Sequence, residues 1–150
     1  PHSLAELRNA TSIPICGSEL ALTRYHAREL LEADAVDILM TDVTWTGGIG
    51  ESKRIAAMAE AANLPFVAHD CTGPVTFIAS IHLSIHCSNA LIQESVRAYY
   101  RGFYGDLVTE LPLAAEPLDS VLTSPSCAAV LSSSAQAKKP QLCARGLGQQ

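Results

Sequence analysis

Residues 36–70 read VDILMTDVTWTGGIGESKRIAAMAEAANLPFVAHD, and the order of apolar and helical segments in them indicates the fold class. It begins with a largely apolar run, 36–41, followed by a glycine-rich loop. The segment 51–63 is rich in Ala and Glu and carries its apolar residues at helical spacing. Pro65 marks the end of that helix, and a second apolar run, 66–68, follows. This order predicts two parallel strands joined by a helical crossover.

The same alternation extends on both sides of that stretch. Apolar runs at 13–16 and 90–93 predict two further strands, and helical patterns at 23–33 and 75–87 precede the second and the fourth strand. The helix 75–87 is apolar on nearly every side, so we expect it to be largely buried. Four strand–helix repeats predict an α/β fold with a parallel sheet and right-handed crossovers.

Polar side chains follow each predicted strand within one to three residues of its end. They are Glu19, Asp42, His69 and Glu94, separated by 23, 27 and 25 residues. The carboxyl ends of parallel strands meet on one rim, which is where (β/α)-barrels carry their chemistry. The spacing therefore predicts one active site assembled from four consecutive βα units.

The types of these residues suggest particular roles. A carboxylate beside a histidine orients the imidazole and makes a general acid or base, and Asp42 and His69 lie on neighbouring predicted strands. Glu19 is suited to a hard cation such as Mg²⁺, and Glu94 to hydrogen bonding with an oxyanion. The alternatives are that Asp42 caps a loop, that His69 is an ordinary loop histidine, and that Glu94 pairs with Arg97.

The composition of the chain argues against nucleic-acid and membrane partners. The 150 residues are 48% hydrophobic and 17% charged, with a net charge of −5, which is typical of one well-buried globular domain. Without a basic stripe, we expect no nucleic-acid partner. No apolar run reaches the length of a membrane span and the first residues do not resemble a signal peptide, so we expect no membrane partner and a soluble, cytoplasmic protein.

The remaining motifs are weaker. The five cysteines are odd in number and form no C-x-x-C pair, so we interpret them as buried free thiols, with Cys71 as a less favoured nucleophile. His82 and His86 lack the zinc-protease glutamate and are expected to be partly buried structural residues. The loop at Gly47 allows a nucleotide-binding α/β domain as an alternative, although a simple turn explains it better.

Beyond residue 112 the character of the chain changes. Residues 113–150 are rich in Ser, Ala, Pro and Gln and show no period. We therefore predict an α/β domain over 1–112 and a poorly ordered tail over 113–150.

The chain resembles the enolase superfamily, and within it the mandelate racemase group. Four phrases in the same order carry the resemblance: PICGSE (14–19), TDVTWTGGI (41–49), AHDCTGP (68–74) and LIQE (91–94). They resemble strands five to eight of the family's barrel, which implies the C-terminal half of a TIM (β/α)₈-type barrel made of about four parallel βα units.

The resemblance also implies roles. Glu19 matches the third carboxylate ligand of the essential Mg²⁺, and Asp42 and His69 match the dyad that acts as general base or acid. Glu94 matches the residue that hydrogen-bonds the substrate carboxylate as the enediolate forms. The implied activity is Mg²⁺-assisted removal of the proton next to a carboxylate, followed by loss of water from an acid sugar. Retention of the dyad argues against the muconate-cycloisomerase type, which uses a lysine at the sixth strand.

The resemblance leaves two alternative functions and implies parts that this segment does not contain. A 2-hydroxy-acid racemase or epimerase on the same scaffold is the first alternative, and a non-catalytic truncated barrel fragment is the second. Full-length members are expected to be homo-oligomers. They also carry a capping domain and four earlier strands, which supply two more metal ligands and a second acid/base residue. We therefore expect this segment alone to have little or no activity.

Overall fold

The structure, a computed structural model, describes residues 1–111. Its four strands form one parallel sheet in the order β1-β2-β3-β4, and they are Cys16–Gly17, Ile38–Asp42, Phe66–His69 and Ala90–Gln93. The helices α1 to α6 are His2–Ala10, Arg24–Glu32, Ile49–Ala61, Pro74–His86, Arg97–Arg101 and Tyr104–Leu107. The predicted parallel α/β sheet is confirmed. The predicted tail, 113–150, lies outside the described residues.

The ends of the elements differ from the prediction by a few residues, for local reasons. The strand predicted at 13–16 is only Cys16–Gly17, because Pro14 has no amide hydrogen and Ile13 is exposed. Helix α3 ends at Ala61, since Asn63 adopts a left-handed φ of 58° and the Leu64 amide bonds back to the Ala59 carbonyl. This arrangement is a Schellman-type cap.

The hydrophobic core lies between the sheet and the helices. In register, Leu39 pairs with Phe66, and both are fully buried on the helix-covered face of the sheet. Successive strand residues alternate between faces, so Asp42 and His69, which also pair, lie on the opposite face. The end of that opposite face carries the candidate active site.

The prediction that the apolar helix at 75–87 is largely buried is wrong for part of its surface. Within α4, Phe77 and Leu83 pack into the core, but Val75 is 73% exposed and Ile85 is 80% exposed. The described sheet and neighbouring helices cover only one side of α4, so Val75 and Ile85, on its other side, stay exposed. No helix among the described residues has the length and apolar character needed to cross a bilayer.

A buried ion pair joins the first helix to the sheet. The Arg8 Nε donates to Asp37 Oδ1 at 2.8 Å, and the other oxygen of Asp37 accepts the Ile15 amide at 2.8 Å. The Arg8 guanidinium also contacts Asp34. Asp37, a charge within a predicted apolar strand, is therefore explained as the connection between α1, β1 and β2.

Substitution of Asp37 by alanine is expected to lower the free energy of unfolding by about 2 kcal/mol, because the Ile15 amide and one side of a buried guanidinium lose their acceptor. Urea unfolding of the two proteins measures the difference. The matched control is Glu32→Ala, which removes the exposed Arg28–Glu32 pair and is expected to cost less than about 0.5 kcal/mol. Equal losses in both variants would contradict the role given to Asp37.

Candidate active site

Asp42 is the last residue of β2, and its carboxylate is completely buried. Oδ1 accepts the backbone amides of Thr44 at 2.8 Å and Trp45 at 3.1 Å. Oδ2 lies 3.0 Å from His69 Nδ1 and accepts the Thr72 hydroxyl at 3.1 Å. Asp42 thus caps its own loop, as the simpler interpretation expected, and also faces the histidine. Four donors hold the carboxylate in one orientation.

His69 ends β3 directly beside Asp42, and its side chain is 14% exposed. Because Asp42 Oδ2 can only accept, the neutral ring carries its proton on Nδ1 and donates it to that oxygen. The lone pair of a neutral ring is therefore on Nε2, the nitrogen that points away from Asp42. This is the arrangement of a general base held in one tautomer by a carboxylate.

Glu94 follows β4 and lies on the Nε2 side of the imidazole. Its Oε2 accepts the Asp70 backbone amide at 2.9 Å and lies 3.8 Å from His69 Nε2. The side chain is 38% exposed, so it is open to a ligand on one side. Among residues 1–111 there is no ion pair between Glu94 and Arg97, which was the alternative interpretation. The structure thus brings three of the four predicted residues together.

Glu19 is set apart from these three. It follows β1, is half-buried, and makes no hydrogen bond or ion pair with Asp42, His69 or Glu94 in the described chain. Its relation to the site runs through Cys16, on β1. Partial desolvation, with contributions from Glu94 and Glu19, raises the pKa of the Cys16 thiol to about 11. The thiol of Cys16 is therefore within electrostatic reach of both Glu19 and Glu94.

The described residues by themselves do not form a metal site. No group of three or more His, Cys, Asp or Glu side chains within residues 1–111 is arranged to hold an ion. Glu19 has the oxygen chemistry that Mg²⁺ prefers, but one carboxylate is a small part of such a coordination shell. Within residues 1–111, the oxygen chemistry of Glu19 therefore fits at most one ligand of such an ion.

Sequence reasoning assigned no role to three residues that contact the site. Thr72 donates to Asp42, the Trp45 ring lies 5.4 Å from the His69 ring, and Asp70 donates its amide to Glu94. Thr72 and Trp45 are each three residues beyond a predicted site residue. Their position just after a strand end could therefore have marked them as candidates in the sequence. Only the conformation of the loops shows which of the loop side chains turn toward Asp42 and His69.

The expectation of buried thiols is wrong for the described cysteines. Cys16 and Cys71 are exposed and Cys87 is half-buried, and all three are free. Cys16 is on the sheet face that no described helix covers, and Cys71 is in the loop after β3. Desolvation raises the pKa of Cys71, and nearby acidic groups add to the effect. A raised pKa leaves less thiolate at neutral pH, which weighs against Cys71 as a nucleophile.

The two histidines of α4 also differ from expectation. His82 and His86 are exposed, not partly buried, because they lie on the side of α4 that faces away from the sheet. The Gly47 loop is a turn in which Gly47 and Gly48 have φ of 89° and 114°, values that favour glycine. Gly48 caps the start of α3.

Comparison with known proteins identifies relatives of this chain. Residues 1–122 match the sequence model of the family described as enolase C-terminal domain-like. An arabinonate dehydratase from Saccharolobus solfataricus is 36% identical over 93 residues, covering 62% of this chain and 25% of the relative. A D-galactonate dehydratase from Ralstonia pickettii is 38% identical over 93 residues, covering 62% of this chain and 24% of the relative.

Solved structures agree with the sequence comparison. An enolase of the mandelate racemase subgroup from Agrobacterium tumefaciens superposes with a TM-score of 0.70 at 47% identity, covering 75% of this chain and 31% of that one. A mandelate racemase/muconate lactonizing enzyme-like protein from Rubrobacter xylanophilus gives a TM-score of 0.65 at 40% identity, covering 70% and 26%. The chain spans about a quarter of the length of the curated relatives it matches.

Proposed function

Because this chain belongs to the enolase C-terminal domain-like family, in the mandelate racemase group, we propose that it carries the Asp–His acid/base part of an acid-sugar dehydratase. The observation that carries the proposal is the 3.0 Å contact between Asp42 Oδ2 and His69 Nδ1, which places the lone pair of the neutral ring on Nε2, the nitrogen on the side of Glu94. The dehydratase names of the two curated relatives favour loss of water over racemisation.

The proposed substrate is a small 2-hydroxy acid derived from a sugar. His69 Nε2 exchanges a proton with it, either by taking the proton from the carbon next to the carboxylate or by giving one to the departing hydroxyl. Loss of that proton and of the hydroxyl on the neighbouring carbon forms one water and an enol, which converts to a 2-keto-3-deoxy acid. Asp42 stabilises the imidazolium that forms when Nε2 takes up a proton.

Glu94 is proposed to hydrogen-bond the substrate carboxylate through its exposed side, by sharing a proton with it, because two carboxylates alone offer only acceptors. Its Oε2 is already held by the Asp70 amide, so the carboxyl group is oriented before the substrate binds. Glu19 is proposed as one oxygen ligand of Mg²⁺. When bound, that ion would stabilise the negative charge that develops on the substrate carboxylate.

The remaining metal ligands and the second acid/base residue are proposed to come from polypeptide outside the described residues. We therefore expect the 150-residue chain alone to show no turnover in a coupled assay with millimolar Mg²⁺ and a panel of sugar acids. The same assay is applied to a chimera, in which residues 1–111 replace the matching part of the Ralstonia pickettii D-galactonate dehydratase. The chimera is expected to dehydrate at least one sugar acid.

Each outcome of this assay has a distinct meaning. Robust turnover by the isolated chain would contradict the need for further residues. A folded chimera that exchanges the substrate's α-proton with solvent deuterium but releases no keto acid would favour the racemase or epimerase alternative. A folded chimera without either reaction would contradict the proposed function.

A further inference from the structure

Asp70 is a buried carboxyl that the proposed chemistry does not use. It follows His69 directly and is 0% exposed, whereas His69 and Glu94 both reach solvent. The Tyr104 hydroxyl donates to Asp70 Oδ1 at 3.3 Å. Burial raises the pKa of Asp70 and nearby Glu94 adds to this, while hydrogen bonds from Tyr104 and the Val96 amide lower it. The carboxyl is thus held by groups that come after β4.

Tyr104 is itself fixed by packing. It is 0% exposed in α6, and its ring lies 5.2 Å from that of Phe103 and 6.2 Å from that of Tyr99. Burial, with the nearby Asp70, raises the pKa of Tyr104 to about 12. The phenol therefore remains protonated and can donate to Asp70 at all ordinary pH values.

The backbone of Asp70 connects this buried pair to the site. Its amide donates to Glu94 Oε2 at 2.9 Å, and that oxygen is 3.8 Å from His69 Nε2. Glu94 is a long, partly exposed side chain, which would sample several rotamers without a fixed donor. The position of the Asp70 amide therefore decides which way the Glu94 carboxylate points.

We propose that Asp70 and Tyr104 are positioning residues, which fix the Asp70 amide and through it orient Glu94 toward His69. This inference rests on the proposed role of Glu94, but the contact that it concerns exists without substrate or metal. The consequence is that packing of α6, a short helix outside the sheet, controls the geometry of a carboxylate at the mouth of the site.

The physical reason is the crowding of two carboxyl groups. Asp70 and Glu94 repel each other when both are ionised, and Asp70 has little access to water. Without the Tyr104 hydroxyl, Asp70 Oδ1 loses a donor while Oδ2 already lacks a hydrogen-bond partner among the described residues. We expect the Asp70 backbone to shift in response, so that its amide no longer meets Glu94.

The test measures the Asp70 amide directly, using nitrogen-15-labelled full chain and proton–nitrogen correlation spectra. In the unmodified protein, Glu94→Gln is expected to move the position-70 amide resonance, since the acceptor loses its charge. In a Tyr104→Phe background this movement is expected to fall to less than about half. The matched control is Tyr99→Phe, which removes a hydroxyl from the same aromatic cluster and is expected to leave the movement unchanged.

A kinetic readout accompanies the spectra. In the chimera described above, Tyr104→Phe is expected to lower kcat/KM about tenfold, by misplacing Glu94. Glu94→Gln is expected to lower kcat/KM by a smaller factor in the Tyr104→Phe background than in the otherwise unmodified chimera. The reason is that the effects of coupled residues are not additive.

A lower thermal midpoint with an unchanged Glu94→Gln movement would show that Tyr104 is only structural, and would overturn the inference. If Tyr104→Phe does not fold, Asp70→Asn is used with the same spectra, and an unchanged movement there overturns it equally. The spectra require no catalysis. An inactive chimera with the expected spectra would therefore count against the proposed function and leave the positioning role supported.

Discussion

Replacing His69 by asparagine is expected to lower the dehydration rate of the chimera by about 10³-fold, the usual size of a general acid–base contribution. Asparagine can still hydrogen-bond Asp42, so the fold is expected to survive. It has no basic nitrogen, however, and cannot exchange a proton at the position of Nε2. Steady-state rates with a fixed sugar acid and saturating Mg²⁺ measure the loss.

The control for this substitution is His82→Asn, which makes the same chemical change at an exposed histidine of α4. It is expected to leave the rate within about twofold. The chain has one tryptophan, Trp45, whose ring lies 5.4 Å from the His69 ring. In the isolated chain, the fluorescence of Trp45 therefore shows whether the surroundings of position 69 change in the variant. A His69→Asn chimera that retained most of its rate would remove His69 from the reaction.

Asp42→Asn is expected to lower the rate by about 10²- to 10³-fold while leaving the shape of the site intact. The reason lies in the four donors around Asp42. The amides of Thr44 and Trp45 require an oxygen at the Oδ1 position. The amide nitrogen of an asparagine must therefore occupy the Oδ2 position, where it donates to His69 Nδ1. The imidazole proton then moves to Nε2, which can no longer act as a base.

The tautomer itself can be measured, independently of activity. Nitrogen-15 shifts of the imidazole are expected to show the Nδ1–H form in the unmodified chain and the Nε2–H form after Asp42→Asn. Asp106→Asn, at an exposed carboxylate of α6, is the matched control and is expected to change neither the tautomer nor the rate. An unchanged tautomer in Asp42→Asn would show that Asp42 does not orient the ring.

Several parts of the site follow from local sequence patterns. Apolar runs alternating with helical periods predicted four parallel strands, and the parallel sheet is as predicted. In such a sheet the ends of adjacent strands are neighbours, so polar residues ending β2 and β3 must lie close together. The 3.0 Å contact between Asp42 and His69 is of this kind. The roles proposed for these residues remain predictions until the substitutions are measured.

Burial was the least predictable property. The apolar pattern of α4 suggested a buried helix, but Val75 and Ile85 are exposed, and so are Cys16 and Cys71. Periodicity shows which residues share a face of an element. It does not show whether another element covers that face, since this depends on the arrangement of the whole chain.

Local patterns were enough to predict the order of strands and helices, the strand ends that carry polar groups, and the resemblance that suggests their chemistry. Two contacts could be seen only after folding: the hydrogen bond from the Asp70 amide to Glu94, and the one from Tyr104 to Asp70, 34 residues apart. The physical reason is that helical and strand periods arise from neighbouring residues. A hydrogen bond between distant residues instead depends on how the packed elements direct each side chain, which no local pattern records.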